Sequence, residues 1–415
     1  MQQGDMTDTL QRAPGALTGL KVIDLTQMLA GPFCTMMLGD QGATVIKIEP
    51  LDGEPTRLFG PFAADDQLKS FGGYFQSVNR NKLSVALDLK HAQGREVFLR
   101  LVQEADVVVE NFRAGVMDRL GIGYETLAAT NRKLVYAALR GFGDPRSGAS
   151  PYVDWPAFDV VAQAMGGIIG ITGPDADTPL KIGPGVGDLV PAMMSAFAIL
   201  AAVRHADKTG EGQFVDLAMY DSMLALCERI IYQHSYAGQV PGPEGNGHPL
   251  LCPFGLFPAS DGWVTIACPR ENFWLLLTEI MGQPELGRDP RYGSNEARTA
   301  RKGEVVALVS EWSARRSKAE IQSLLGGRVP FGPVNTVADI LADPHVAARS
   351  MVAEVDHPGS AHRYSIANSP IRMSKTFSGV QTRSPLTGEH TDAVLAEAGY
   401  KPSDIETLRA ACAIA

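Results

Sequence analysis

Long apolar runs, paired cysteines and an excess of basic charge are all missing from this sequence, and each absence narrows what the chain can be. No stretch reaches the roughly 18–20 uncharged residues that span a bilayer. Ala192–Val203 comes nearest and is bounded by Asp188 and Arg204. The first residues carry Asp5 and Asp8 and no apolar segment, so they read as a frayed leader and not as a secretory signal, and the expected location is cytoplasmic. Five cysteines (Cys34, Cys227, Cys252, Cys268, Cys412) form no C-x-x-C pair and no disulfide framework; each is expected as a reduced, packed thiol. The eight histidines are scattered, and His357 and His362 have no acidic or cysteine partner nearby, so no metal site is expected. A net charge of −9 argues against nucleic acid as a partner. It does not exclude an anionic small ligand, because local basic clusters act against the global sign.

What is present is an ordinary globular composition, 45% apolar and 20% charged, in 415 residues. That length accommodates two domains, or a large domain with a smaller one inserted. Short β-rich runs at Leu20–Leu25, Thr44–Glu49, Leu83–Leu87, Val107–Glu110 and Leu134–Leu139 alternate with helical stretches at Pro32–Leu38 and His91–Glu104. This alternation predicts an α/β fold with a parallel sheet covered by helices. Asp188–His205 reads as a long, buried helix, Phe214–Ala218 as a strand and Tyr220–Tyr236 as another helix. Pro241–Pro258 is rich in proline and glycine and reads as a loop or a domain crossover. Trp263–Ala267 and Arg301–Leu325 suggest a smaller α/β unit, and His390–Gly399 a closing helix.

The sheet does not carry a nucleotide signature. The first strand-to-helix turn, Thr26-Gln-Met-Leu-Ala-Gly-Pro32, lacks the glycine spacing that cradles a pyrophosphate. Gly183-Pro-Gly-Val-Gly187 is glycine-rich but opens a late helix. A Walker loop and a G-x-S-x-G elbow are also missing.

The most informative segment is FDVVAQAMGG, Phe158–Gly167, which sets Asp159 at the start of an apolar helix. One reading is an N-cap that accepts the free amides of the first turn. The other is a nucleophile, since a carboxylate can attack an acyl carbon and form a covalent intermediate.

Six stretches taken together resemble one family. They are LKVIDLTQMLAGPFCTMMLGDQGATVIKIEP (Leu20–Pro50), NRNKLSVALDLK (Asn79–Lys90), ADVVVENFRAGVMDRLG (Ala105–Gly121), FDVVAQAMGG, TGEGQFVDLAMYDSML (Thr209–Leu224) and GEHTDAVLAEAG (Gly388–Gly399). In this order they resemble the class III CoA-transferases, relatives of formyl-CoA and carnitine CoA-transferases, a family that also includes α-methylacyl-CoA racemases. The resemblance implies a Rossmann-like large domain built from both ends of the chain (17–224 and, after a return linker, 336–415). It also implies a smaller α/β domain inserted at 225–335 and an interlocked homodimer. It implies coenzyme A and acyl-CoA as substrates, with no permanently bound cofactor and no membrane.

Within that resemblance, the racemases carry a His-Asp pair where this chain has Phe158 and Asp159. Exchange of an α-proton needs a titratable group on each face of the carbon, and phenylalanine cannot serve. The implied activity is therefore CoA transfer through an aspartyl anhydride and an aspartyl-CoA thioester, with Asp159 catalytic. The alternative is a racemase-type isomerase that uses Asp188, for which helix capping is also an open reading; a third is a catalytically silent acyl-CoA binder. Asn111, Arg119, Arg140 and, with Lys82, Arg80 are the implied CoA-binding side chains. Leu29 replaces a substrate-side Gln of the formyl enzyme, so formyl and oxalate are not the expected pair. Pro50 replaces an Arg that faces adenine, which leaves the adenine site unassigned. Gly245, Gly247 and His248 form a candidate lid or oxyanion-donor loop, for which a plain interdomain turn is the other reading. A small dicarboxylate such as succinate is the expected acyl group, with Arg57, Arg80 and His248 as candidate partners for its distal carboxylate.

Overall fold

Six parallel strands form the central sheet of the computed structural model, which describes residues 13–415. The leader-like first residues lie outside the described part except for 13–15. The strands are β1 (Lys21–Asp24), β2 (Thr44–Glu49), β3 (Lys82–Ala86), β4 (Val107–Glu110), β5 (Val135–Arg140) and β6 (Phe214–Ala218), in spatial order β3-β2-β1-β4-β5-β6. Register pairs Val22 with Val45 and with Val107, and Val107 with Val135.

Strands β1 to β5 are largely buried on both sides, as a sheet covered on two faces requires, and the edge strand β6 is half-buried. Successive residues then divide between two cores because side chains alternate across a strand. Val22, Val45, Val107 and Val135 enter one core; Ile23, Ile46, Val108 and Tyr136 enter the other. The first core is closed by α1 (Ala30–Asp40) and by a long helix, Val186–Thr209. The long helix presents Ala192, Ala196, Ile199, Ala202 and Ala206 at intervals of three and four, a helical face of mostly small residues that lets the backbone approach the sheet closely. The second core is closed by the helix Ala92–Gln103 together with Thr391–Glu397 and Pro402–Ala410, so the end of the chain returns to this unit.

The Val186–Thr209 helix has 24 residues, more than the apolar run Ala192–Val203 suggests, and by length and composition it is sufficient to cross a membrane. The expected helix Tyr220–Tyr236 is two helices, Met219–Leu226 and Glu228–Ala237, separated at Cys227.

The chain divides into two compact units. The larger takes the residues up to Ile168, Ile182–Ile231 and Ala347–Ala415, and the smaller takes Ile169–Lys181 and Tyr232–Val346. The smaller unit has a three-stranded antiparallel sheet, Phe254–Ala259, Gly262–Ala267 and Phe331–Pro333. Helices Glu271–Met281, Lys302–Ala314 and Lys318–Leu325 pack around a core of Phe257, Val264, Trp274, Val309 and Ile321.

In the large sheet the strand order reverses between β1 and β4. A crevice opens beyond the carboxyl ends of strands at such a switch point. Gln27 follows β1 and Asn111 follows β4, so these two residues flank it.

Candidate active site

Asp159 is the first residue of a helix, Asp159–Met165, and it does not cap that helix. Phe158 occupies the N-cap position and makes no side-chain cap bond. The Asp159 carboxylate is instead held by groups from elsewhere. Gln163, four residues on and therefore on the same helical face, donates from Nε2 to both oxygens at 2.9 Å. The Gly187 amide donates to Oδ1 at 2.8 Å. Gln163 is fully buried, and its Oε1 accepts the Ile182 amide at 2.9 Å, which fixes the amide with its NH2 toward Asp159. Gly187 is the second residue of the Val186–Thr209 helix, so the positive end of a long helix faces the carboxylate.

This approach explains the glycines of Gly183-Pro-Gly-Val-Gly187. A Cβ at Gly187 would fall 2.4 Å from the Asp159 carbonyl oxygen, and one at Gly185 would fall 3.2 Å from Leu29 Cδ2 and 3.7 Å from the Asp159 carboxyl carbon. The motif lets a carboxylate and Leu29 come against a helix terminus. Leu29, the N-cap of α1, thus stands beside the Asp159 site.

Asp188 is not a cap. Gly185 holds the N-cap position, and Asp188 is the third residue of the helix, half-buried. Burial first, and then the Asp159 charge, push its carboxyl up to about 7. Tyr74 stands near enough to feel it: burial, with Asp188 and Glu54 adding to it, raises the phenol to about 12, so the hydroxyl keeps its proton.

Asp188, Phe158 and Trp155 line a cavity of about 330 Å3 with Gln27, Met28 and Asn111. Asn111 pins the turn after β1, accepting the Gln27 amide at 2.9 Å and donating to the Gln27 carbonyl at 2.7 Å. Met28, next in that turn, has φ +68, a strained conformation for a residue with a side chain, and its amide donates to Glu54 at 3.2 Å. A second cavity of about 450 Å3 shares Gln27 and Phe112 with the first; Pro50, Leu51, Leu89 and Lys90 line it.

Several cations that sequence reasoning assigned to ligands are already committed. Arg80 is buried and bidentate on Asp40 at 2.9 and 2.7 Å, with its third nitrogen on the Ala367 carbonyl. It is not available to CoA. Lys82 bonds Asp24 at 2.9 Å, the Pro32 carbonyl and Asn79. Arg57 is bidentate on Glu49 at 2.7 and 2.6 Å and is not a partner for a substrate carboxylate. Arg140 does line the first cavity, but its guanidinium is engaged by Glu110 and Asp144 and by the Phe112 carbonyl at 3.2 Å. Burial raises the Glu110 carboxyl to about 6 despite Arg140.

Arg119 is exposed at the end of a short helix, Val116–Arg119, whose neighbours Val116 and Leu120 line the second cavity. Sequence reasoning passed over Arg113, which lines the first cavity, is exposed, and has no ion pair among the described residues. It also passed over Gln163, although the four-residue spacing from Asp159 was visible. Gly245, Gly247 and His248 lie in the smaller unit. Gly245 has φ +61 and donates to the Gly173 carbonyl at 3.0 Å; Gly247 bridges to Gly255 and His248 packs on Phe254.

Comparison with known proteins gives concordant matches. The sequence model of CoA-transferase family III matches residues 17–391. A succinyl-CoA:mesaconate CoA-transferase of Haloarcula marismortui is 49% identical over 385 residues, 93% of this chain and 97% of that protein. A succinate–glutarate CoA-transferase of Agrobacterium fabrum is 36% identical, over 94% of this chain and 98% of its own length. The crystal structure of a CAIB/BAIF family protein from Brucella suis superposes with a TM-score of 0.83 at 36% identity, covering 93% of this chain and 100% of the other.

Proposed function

This chain belongs to CoA-transferase family III, and we propose that it moves CoA between small dicarboxylates with Asp159 as the acyl carrier. One observation carries the reading. Asp159 does not serve its own helix as a cap but is aimed and held by Gln163 and the Gly187 amide beside a cavity wall. A positioned carboxylate at the positive end of a helix is a preorganised nucleophile.

The reaction follows from that group. Asp159 attacks the thioester carbonyl and displaces CoA, giving a mixed aspartyl–acyl anhydride. The thiol then attacks the aspartyl carbonyl, releasing the first acid and leaving an aspartyl-CoA thioester. An incoming carboxylate runs the same steps in reverse. Water must be kept out while the anhydride lasts; Phe158, Trp155, Met28 and Leu29 give the surroundings of Asp159 an apolar wall.

CoA needs a flat apolar slot and cations for its phosphates. The second cavity, with Pro50, Leu51 and Leu89, suits the adenine, and Arg113, Arg119 and Lys90 suit the phosphates, since none of them is consumed in an ion pair among the described residues. The dicarboxylate assignment follows the named substrates of the two relatives. A second copy of the chain is the proposed partner. Met193, Phe197 and Leu200 recur every three or four residues on the outer side of the Val186–Thr209 helix, and Phe197 is 77% exposed; such a row on a folded protein marks an interaction surface.

The test is incubation with succinyl-CoA and a panel of acids including mesaconate and glutarate, read by mass spectrometry. New thioesters that vanish in Asp159→Ala, with a hydroxylamine-trapped adduct on Asp159, are expected. No thioester with any acid, together with loss of stereochemistry in a chiral 2-methylacyl-CoA, would identify a racemase instead.

A further inference from the structure

Resting on transfer through Asp159, we propose that Asp188 is the proton reservoir of the reaction: it protonates the departing CoA sulfur and recovers that proton when the thiol attacks acylated Asp159.

The two carboxylates share one helix terminus. Gly187 gives its amide to Asp159, and Asp188 is the next residue. Asp159 is locked by its donors, whereas Asp188 lines the 330 Å3 cavity alongside Phe158 and Asn111. Most other buried carboxylates of this unit face an arginine or lysine: Asp24 with Lys82, Asp40 with Arg80, Glu49 with Arg57, Glu54 with Lys47, Glu110 with Arg140 and Asp144 with Arg140 and Arg146, while Asp66 faces His357. Asp188 has no salt bridge among the described residues. The groups acting on it are the Asp159 charge and, on the helix Gly73–Val78, the Tyr74 phenol, with Glu54 beyond. A half-buried carboxyl with an anion for a neighbour and no cation holds a proton near neutrality, at about 7 here.

The coupling times the proton. Acylation removes the charge of Asp159, so the part of the Asp188 shift that repulsion adds to burial disappears when a thiolate is formed. A free thiol has a pKa of about 8.5, so the proton moves downhill to sulfur. In the first step the Asp159 oxygen bonds to the acyl carbon, the C–S bond breaks with its electron pair on sulfur, and the Asp188 proton forms S–H. In the second, the Asp188 carboxylate takes that proton as sulfur bonds to the Asp159 carboxyl carbon, and the first acid leaves as a carboxylate. The total charge is the same before and after each step.

The experiment compares single-turnover acylation of Asp159 by succinyl-CoA and by the phenyl thioester of succinate, whose thiolate leaves without a proton. With wild type, the succinyl-CoA rate falls as pH rises through about 7 and the phenyl thioester rate does not, so the ratio of the succinyl-CoA rate to the phenyl thioester rate falls with pH. Asp188→Asn is expected to slow acylation by succinyl-CoA about 10²–10⁴-fold, to lose the pH limb, and to stay within about tenfold of wild type on the phenyl thioester. Equal losses on both esters, or a pH limb that survives in Asp188→Asn, overturn the assignment. The wild-type ratio tests it without any variant. Failure of wild type to acylate Asp159 with either ester overturns the transfer reading itself, which separates the two conclusions.

Discussion

Replacing Arg57 with methionine separates a structural cation from a substrate-binding one. Arg57 is 2% exposed, and its guanidinium is bidentate on Glu49 at 2.7 and 2.6 Å, on the Pro385 carbonyl at 3.0 Å, and stacked 3.9 Å from the Phe75 ring centre. Methionine fills much of the space and keeps contact with Phe75. It leaves Glu49 buried with the Ser84 hydroxyl at 2.6 Å, the Glu54 amide at 3.1 Å and the charge of Lys47, which makes no hydrogen bond to it. An uncompensated buried charge costs about 3–5 kcal/mol. At roughly 2 °C per kcal/mol for a unit of this size, Tm falls by about 6–10 °C. Glu49→Gln in the same chain removes the orphaned charge and recovers at least half of the loss. The sign with pH also follows. Burial works to raise the Glu49 pKa, but Arg57 outweighs it and the carboxyl lies below its ordinary value. Its contribution is therefore present above about pH 4.3 and disappears as pH falls through the depressed value, so wild type and Arg57→Met converge in acid. Thermal unfolding followed by circular dichroism at several pH values reads this, alongside KM for the carboxylate acceptor. A Tm within about 2 °C of wild type, with KM raised tenfold or more, would refute the reasoning and return Arg57 to the substrate.

Three further outcomes are expected. Gln163→Leu removes the donor to both Asp159 oxygens, a charge-assisted interaction of about 1.5–3 kcal/mol, so kcat for thioester exchange falls about 10–150-fold; a change under threefold contradicts the positioning role. Gly187→Ala places a methyl 2.4 Å from the Asp159 carbonyl oxygen and moves the nucleophile. Its kcat falls about 100-fold or more, and Tm falls as well, because overpacking against backbone costs about 1–3 kcal/mol; an unchanged kcat contradicts the close approach. Phe197→Glu puts a charge on the exposed face of the Val186–Thr209 helix, and light scattering then reports a smaller particle with unchanged circular dichroism; persistence of the wild-type mass argues that this face is not the contact.

The fold was largely legible because parallel strands buried on two sides leave near-continuous apolar runs. Thr44–Glu49 and Val107–Glu110 were placed to the residue for this reason, and so, at the half-buried sheet edge, was Phe214–Ala218. Boundaries slipped where the backbone, not the side chain, decides. The helix expected over Tyr220–Tyr236 breaks at Cys227, an apolar residue with no turn chemistry to announce it. The hairpin Val352–Asp356 with Arg363–Ala367 went unseen because Glu354 and Arg363 blur its alternation. The FDVVAQ motif left Asp159 open between a helix cap and a nucleophile, and the structure removes the cap because Phe158 holds that position. That Asp159 leans on a different helix was not legible, because Gly187 lies 28 residues away and only the close approach explains its missing side chain.

The misread cations have a common physical origin. A sequence shows where an arginine is but not whether its charge is already neutralised, and the neutralising partner is seldom local. Arg80 meets Asp40 across 40 positions, Lys82 meets Asp24 across 58, and Arg140 meets Glu110 across 30. Each pair joins segments far apart in sequence that only the finished fold brings together. A buried cation must be paired, because an isolated charge in the interior is prohibitively costly. The cations of NRNK and ALRG that looked like an electrostatic cradle therefore support the site from beneath: Lys82 and Lys47 hold the turn after β1 through Asp24 and the Thr26 carbonyl, and Arg140 holds the turn after β4 through the Phe112 carbonyl. Those turns carry Gln27 and Asn111, the two residues that flank the switch point. Arg113, Arg119 and Lys90, by contrast, make no ion pair among the described residues; Arg113 and Lys90 line the two cavities beside those turns, and Arg119 ends the short helix next to the second.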